Sequence, residues 1–282
     1  MGIKVAVAFD FDDTLGPDST SGYLASMGVD VPDFWKSRVE ERIQAGWDPV
    51  LAYMCEMISE SQSRPVAHRF TKQSMVAWGA HVKLYPGVRP MFRELAEAAR
   101  AANPAAEIQF FLISSGLASI LDNTPIRSHF ADAWACDFGY GDDGEILFPK
   151  NVVSFTDKTR YIFQIEKGIF GPGSRKDPFE VNRKIEPSQR NVPMSQMLYV
   201  GDGFTDVPCF SLLQKNGGYA VGVYDKSDRK KWGRAWGFVE TGRVNNLMAA
   251  DYRKNGPVRS NLTVAVTGII TTAAARQATY QG

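Results

Sequence analysis

The chain alternates short, nearly continuous apolar runs with longer stretches in which apolar residues recur every three or four positions. Residues 3–9 form the first run, rich in valine and alanine, which ends at Asp10 and is followed by turn residues near Gly16 and Pro17. A run of this length without polar alternation predicts a strand buried on both faces, as in a parallel sheet. Residues 108–113 and 197–200 have the same form and stop at Ser114-Ser115-Gly116 and Gly201-Asp202-Gly203, while residues 219–224 lead to Asp225. Between them, residues 88–102 carry Met91, Leu95 and Ala98 at helical spacing, with Pro104 beyond the end.

Strands alternating with helices predict an α/β fold with a Rossmann-like parallel sheet covered on both faces. Ligands of such sheets bind beyond the carboxyl ends of the strands, so Asp10, Ser114 and Asp202 are expected around one cleft. Residues 17–85 break the alternation. They hold no buried strand and read as helical near 34–45, 49–60 and 66–78, so they form an inserted helical cap; residues 1–16 and 86–282 then make the core domain. Extra helices packed on the sheet are the alternative. Residues 133–138 and 145–148 flank a glycine-rich turn and predict a hairpin. Residues 168–195, basic and interrupted by four prolines, read as a long solvated loop with short helical turns. Residues 271–282 read as a small-residue tail, and Trp232 and Trp236 as packed on the core, with pairing against another subunit as the alternative.

Composition narrows the functional classes. Apolar residues at 44% and charged residues at 22% suit a globular chain. A net charge of +1 gives no broad attraction for nucleic acid or anionic lipid, so neither is expected as a partner. No run is apolar enough to span a membrane, and Met1-Gly2-Ile3-Lys4 lacks a signal peptide's apolar stretch, so secretion is not expected. Cys55, Cys136 and Cys209 are too few and too scattered for a disulfide framework, which points to the cytoplasm. His68, His81 and His129 have no zinc-like spacing.

The candidate chemistry is acidic. Asp10, Asp12 and Asp13 follow the first strand directly, and Asp202 and Asp206 follow a later one. Carboxylates gathered in a partly buried site repel one another and lose water unless a cation joins them. A hard divalent ion such as Mg2+, held by a few carboxylates and otherwise by water and phosphate oxygens, is the simplest remedy.

Asp10-x-Asp12-x-Thr14, Ser114, Lys158 and Gly201-Asp202-Gly203-x-Thr205-Asp206 stand in the order and context of the haloacid dehalogenase (HAD) superfamily. The resemblance covers residues 3 to about 225. It implies that Asp10 attacks phosphorus to give an aspartyl phosphate, and that Asp12 acts as general acid and then base. Ser114 and Lys158 would hold the phosphoryl oxygens, helped by the amides of Ser115 and Gly116. Asp10 and Asp202 would bind Mg2+ by carboxylate and Asp12 by its carbonyl, with Asp206 supporting from behind.

The position of the helical insertion resembles the phosphoserine phosphatase-like branch. The stretch from Leu15 to Thr20 has no glutamate of the kind with which phosphoserine phosphatases recognise an amino group. The expected activity is Mg2+-dependent hydrolysis of a small phosphorylated metabolite. A phosphotransferase or mutase and a catalytically idle binder of phosphorylated ligands are the alternatives; substrate and oligomeric state stay open.

Overall fold

The computed structural model describes residues 2–226 and 236–279. Its centre is a seven-stranded sheet in the order β4-β3-β2-β1-β5-β6-β7, with β1 at Ile3–Phe9, β2 at Ala106–Leu117, β3 at Asp132–Tyr140 and β4 at Ile146–Asn151. The other strands are β5 at Met197–Gly201, β6 at Tyr219–Tyr224 and β7 at Asn246–Ala249. All neighbours pair in parallel except β3 and β4, the hairpin predicted around the glycine-rich turn. The centre of the sheet is apolar on both faces: Val5, Val7, Phe9, Leu112, Leu198 and Val200 are all fully buried.

Ten helices are used below. They are α1 (Ser19–Ser26), α2 (Val31–Asp33), α3 (Glu40–Gln44), α4 (Pro49–Ser63), α5 (Lys72–Gly79), α6 (Val88–Ala102), α7 (Ala118–Leu121), α8 (Asp157–Lys167), α9 (Val207–Lys215) and α10 (Pro257–Thr279). A π-helical turn at Phe34–Val39 joins α2 to α3. Helix α4 starts where Asp48 accepts from the amides of Val50 and Leu51 with Pro49 in its first turn, a combination that satisfies otherwise orphaned N–H groups. Helix α5 starts on a Thr71/Ser74 capping box. The span from α1 to α5 is helical, as its pattern predicted, and its buried residues, including Phe34, Met57 and Met75, are continuous with the core of the sheet.

The two chain segments that lead into and out of this helical span run side by side. Tyr85 N–H donates to the Leu15 carbonyl at 2.8 Å. A Cβ on Gly16 would lie 2.3 Å from the Lys83 carbonyl oxygen, so only glycine admits the close approach.

The structure departs from the sequence reading in four places. Strand β2 does not stop at Ser114; it continues to Leu117, with an irregular register against β3 between Ile113 and Leu117. Such an irregularity bends the strand and re-aims its side chains. Strand β7 was not foreseen, because four residues without alternation leave no periodic signal. Residues 271–279 are not a loose tail: they end α10, whose Leu262, Val266, Ile270 and Ala273 are buried against the sheet and α6. Many small residues weaken the apolar contrast between the faces of this helix, so tertiary contact rather than pattern reveals it. Trp236 is 44% exposed rather than packed in the core, and Trp232 lies outside the described residues.

If α10 is part of the core, Leu262→Ala should destabilise the protein by about 2–5 kcal/mol through lost burial and a residual cavity. Urea unfolding followed by circular dichroism measures it; an unchanged midpoint would mean that the helix is peripheral.

Candidate active site

The carboxyl ends of the central strands bring the acidic segments together. Asp10 directly follows β1, and its N–H donates to the Val200 carbonyl of β5 at 2.9 Å, which holds the two strand ends in register. Side-chain oxygens of Asp10, Asp202 and Asp206 lie within 4.8 Å of one another. Lys158, fully buried in the first turn of α8, places its Nζ 3.3 Å from Asp10 Oδ1 and 2.7 Å from Asp206 Oδ1.

Asp206 sits inside this cluster rather than behind it. Besides Lys158, it accepts from the Tyr199 hydroxyl at 2.8 Å and from the Gly203 N–H at 3.0 Å. With both oxygens engaged, it works as a fixed anchor for Lys158. Tyr199 was not foreseen as a site residue, since it belongs to the apolar run of β5 and only its hydroxyl reaches the cluster.

The Asp12 carboxylate accepts from the Ser19 N–H at 2.7 Å, which fixes it against the start of α1. A Cβ on Gly116 would lie 2.8 Å from Asp12 Oδ2 and 3.3 Å from Ser114 Oγ. Glycine at this position is therefore what lets the Asp12 carboxylate approach the Ser114 strand end. The Gly116 N–H donates to Ser114 Oγ at 3.0 Å, so it orients the hydroxyl. The Ser115 carbonyl accepts from the hydroxyl of Tyr53 on α4 at 2.7 Å, which ties the helical segment to the site. No local sequence signal marks Tyr53, because the contact bridges 62 positions of chain.

The electrostatics are strained in one direction. Burial pushes the Asp10 carboxyl up to about 6, Lys158 acting against the rise and Asp206 adding to it. Burial also holds Asp202 well above the usual carboxylate range, reinforced by the charges of Asp206, Asp10 and Asp13. Asp12 is raised as well, by burial and then by the nearby Asp18, with the hydrogen bonds from Ser19 opposing. Burial acts to lower Lys158, yet the carboxylates of Asp10 and Asp206 outweigh it and keep the ammonium charged. One cation thus faces three clustered carboxylates, and Asp10 Oδ1 is buried without a hydrogen-bond partner among the described residues. These donors fit a small hard divalent cation, whose charge would relieve the excess and whose preference is for oxygen.

No family model matches the chain. An uncharacterized protein of Borreliella burgdorferi is 26% identical over 279 residues, covering 89% of this chain and 92% of that protein. Among solved structures, a HAD family hydrolase from Salmonella enterica serovar Typhi matches 92% of this chain and 70% of its own, with a TM-score of 0.58 at 12% identity. A substrate-bound phosphoserine phosphatase covers 94% of this chain and 99% of its own, with a TM-score of 0.56 at 13% identity. A phospho-aspartyl intermediate analogue of phosphoserine phosphatase matches with a TM-score of 0.54 at 13% identity, covering 93% of this chain and 99% of its own. At these identities the likeness is one of fold: the chain has the α/β architecture of HAD phosphatases.

Because Lys158 is the counter-charge for two buried carboxylates, Lys158→Met should destabilise the metal-free protein by about 3 kcal/mol or more at neutral pH. Urea unfolding in the presence of a chelator tests this. A loss no larger than that of an ordinary surface substitution would show that the cluster does not depend on the ion pair.

Proposed function

We propose that the protein is a phosphate monoester hydrolase that works through an aspartyl phosphate on Asp10. The observation that carries the reading is the Asp10 carboxylate at the end of β1. Its Oδ1 lies beside the Lys158 ammonium and has no hydrogen-bond partner among the described residues, while the Asp12 carboxylate, two residues on, packs against Gly116 next to Ser114. In the first step an Asp10 oxygen forms a bond to phosphorus as the bond to the ester oxygen breaks, and Asp12 gives its proton to that leaving oxygen. The raised affinity of Asp12 for a proton suits it to begin as an acid. In the second step water attacks phosphorus, Asp12 takes its proton, and the bond to Asp10 breaks, so that inorganic phosphate and free carboxylate are restored.

Ser114 Oγ and Lys158 Nζ would hold the phosphoryl oxygens, the hydroxyl by donation and the ammonium by charge. The Ser115 amide would donate beside them, and Gly116 would orient Ser114. Asp10 and Asp202 would bind Mg2+ by carboxylate and Asp12 by its main-chain carbonyl, with Asp206 keeping Lys158 in place. The ion, when bound, supplies charge neutralisation for the substrate and the developing transition state.

Residues 17–85 would act as the cap that closes over the strand ends and excludes water, Tyr53 being its direct link to the Ser115 loop. A cleft built around one buried ammonium and closed by helices suits a small phosphorylated metabolite rather than a polymer. Among the described residues no helix is long and apolar enough to cross a membrane. The free Cys55, Cys136 and Cys209 fit the reducing cytoplasm.

Purified protein with Mg2+ should hydrolyse p-nitrophenyl phosphate. Asp10→Asn should abolish turnover, and Asp12→Asn should lower kcat by about 10²–10⁴ with less effect on KM. Full activity in Asp10→Asn would reject the nucleophile.

The metal assignment has its own test. An unfolded aspartate loses its proton near 3.8, whereas folded Asp10 keeps its proton up to about 6. The proton-linked advantage of the metal-free fold is thus complete below pH 3.8 and is lost as pH rises through 6. For Asp10 alone this is worth on the order of 3 kcal/mol. Urea midpoints in a chelator should show the fall, and Mg2+ should recover most of it at neutral pH. A midpoint indifferent to Mg2+ would count against the site.

A further inference from the structure

The proposed hydrolase needs the Ser114 hydroxyl to donate to a phosphoryl oxygen, so whatever aims that hydroxyl bears on the reaction. A hydroxyl carries one proton and two lone pairs, and it donates in a defined direction when another group holds a lone pair. The holder here is the Gly116 N–H, 3.0 Å from Ser114 Oγ. That N–H belongs to the same peptide unit as the Ser115 carbonyl. The unit is planar and trans, with its C=O and N–H pointing in opposite directions, so turning one end turns the other.

The unit lies where the pairing of β2 with β3 is irregular, between Ile113 and Leu117. Its carbonyl receives the hydroxyl of Tyr53 on α4 at 2.7 Å, with Cys136 Sγ more distant at 3.4 Å. Tyr53 is suited to be a fixed donor. It is 6% exposed, and its ring lies 5.7 Å from that of Trp35. Burial raises its hydroxyl well above the ordinary tyrosine range, so the proton stays on. A peptide whose carbonyl accepts a hydrogen bond is polarised, which strengthens its N–H as a donor. Two bonds at opposite ends of one peptide therefore connect α4 to Ser114. The placement is exacting, because a Cβ on Gly116 would meet Asp12 Oδ2 at 2.8 Å and Ser114 Oγ at 3.3 Å. A shift of this peptide is felt by the general acid and the phosphate donor together.

We propose that Tyr53 is a positioning residue of the phosphatase reaction: its hydroxyl fixes the peptide between Ser115 and Gly116, and the Gly116 N–H then aims the Ser114 hydroxyl at the phosphoryl group. The inference rests on the hydrolase reading for the role of Ser114, and it adds a residue of the helical segment to the phosphate site. Tyr53 acts through Ser114 and not on the substrate, so its effect depends on Ser114 being present.

A double-mutant cycle tests this. Tungstate binding with Mg2+ is measured by isothermal titration for the wild type, Tyr53→Phe, Ser114→Ala and the double variant. Tyr53→Phe keeps the buried ring and removes only the hydroxyl. It should weaken tungstate about fivefold or more with wild-type circular dichroism, whereas in the Ser114→Ala background the same change should alter binding by less than about twofold. The same cycle on kcat/KM for p-nitrophenyl phosphate should show the same pattern. A hydroxyl that only braces the fold would act equally in both backgrounds. The proposal is overturned by that equality, by a Tyr53→Phe protein that behaves like the wild type or no longer folds, or by a wild type that does not bind tungstate. Tungstate binding without hydrolysis would reject the hydrolase reading alone, since the cycle on binding is still read.

Discussion

The ion pair of Lys158 with Asp10 and Asp206 is the constraint around which the rest of the site is arranged. Three carboxylates converge where β1 and β5 end, and without a compensating charge the cheapest response of the fold would be to protonate them or move them apart. A fully buried ammonium prevents the separation. It is itself tolerable only because both neighbours are acidic, and Asp206 is pinned by Tyr199 and Gly203. Removing water from such a group without a partner would cost several kcal/mol, so α8 must start where it does. Burial is the main reason that Asp10 and Asp202 hold protons more tightly than a free carboxylate, and the charge of Asp206 adds to it.

What the sequence disclosed, and what it withheld, follows from the range of each interaction. Buried parallel strands are legible because all their side chains face apolar surroundings, which leaves uninterrupted runs such as residues 3–9. The acidic and small residues that end them were legible for the same reason, since a polar residue abutting such a run marks a strand end. Helix α6 was legible from its spacing. By contrast, α10 packs on α6 and β1 with small residues on several sides, so its role as core depends on partners more than 100 positions away. Strand β7 is defined by pairing with β6 and by little else. That Asp10 and Asp202 meet at the strand ends was legible in the sequence, whereas the contacts of Tyr53 and Tyr199 and the close fit of Gly116 against Asp12 exist only once the chain has folded.

Hydroxyl groups on tyrosine carry much of the long-range fastening around the strand ends. Tyr53 donates to the Ser115 carbonyl, Tyr252 to the Thr14 carbonyl, and Tyr85 to Asp225. Each joins a loop of the acidic site to an element distant in sequence. A tyrosine suits this work because its ring contributes apolar burial while its hydroxyl donates to a main-chain or carboxylate acceptor. A serine hydroxyl links the helical segment to the loop between β4 and α8, where Ser154 Oγ donates to Asp48 Oδ2 at 2.5 Å. Asp48 is also the cap of α4, so one carboxylate sets both the start of that helix and its place against the strand ends.

Helix α8 presents two unlike faces because of its geometry. At 3.6 residues per turn, Lys158, Ile162 and Ile165 share one face, whereas Arg160 and Gln164 fall on another. The first face is fixed by its neighbours: the ammonium meets Asp10 and Asp206, and the isoleucines are fully buried. The second face has no such resolution, since the Arg160 Nε and the Gln164 amide oxygen are buried without hydrogen-bond partners among the described residues. A helix whose rotation is already set by a buried ion pair cannot turn to satisfy polar groups on its other side.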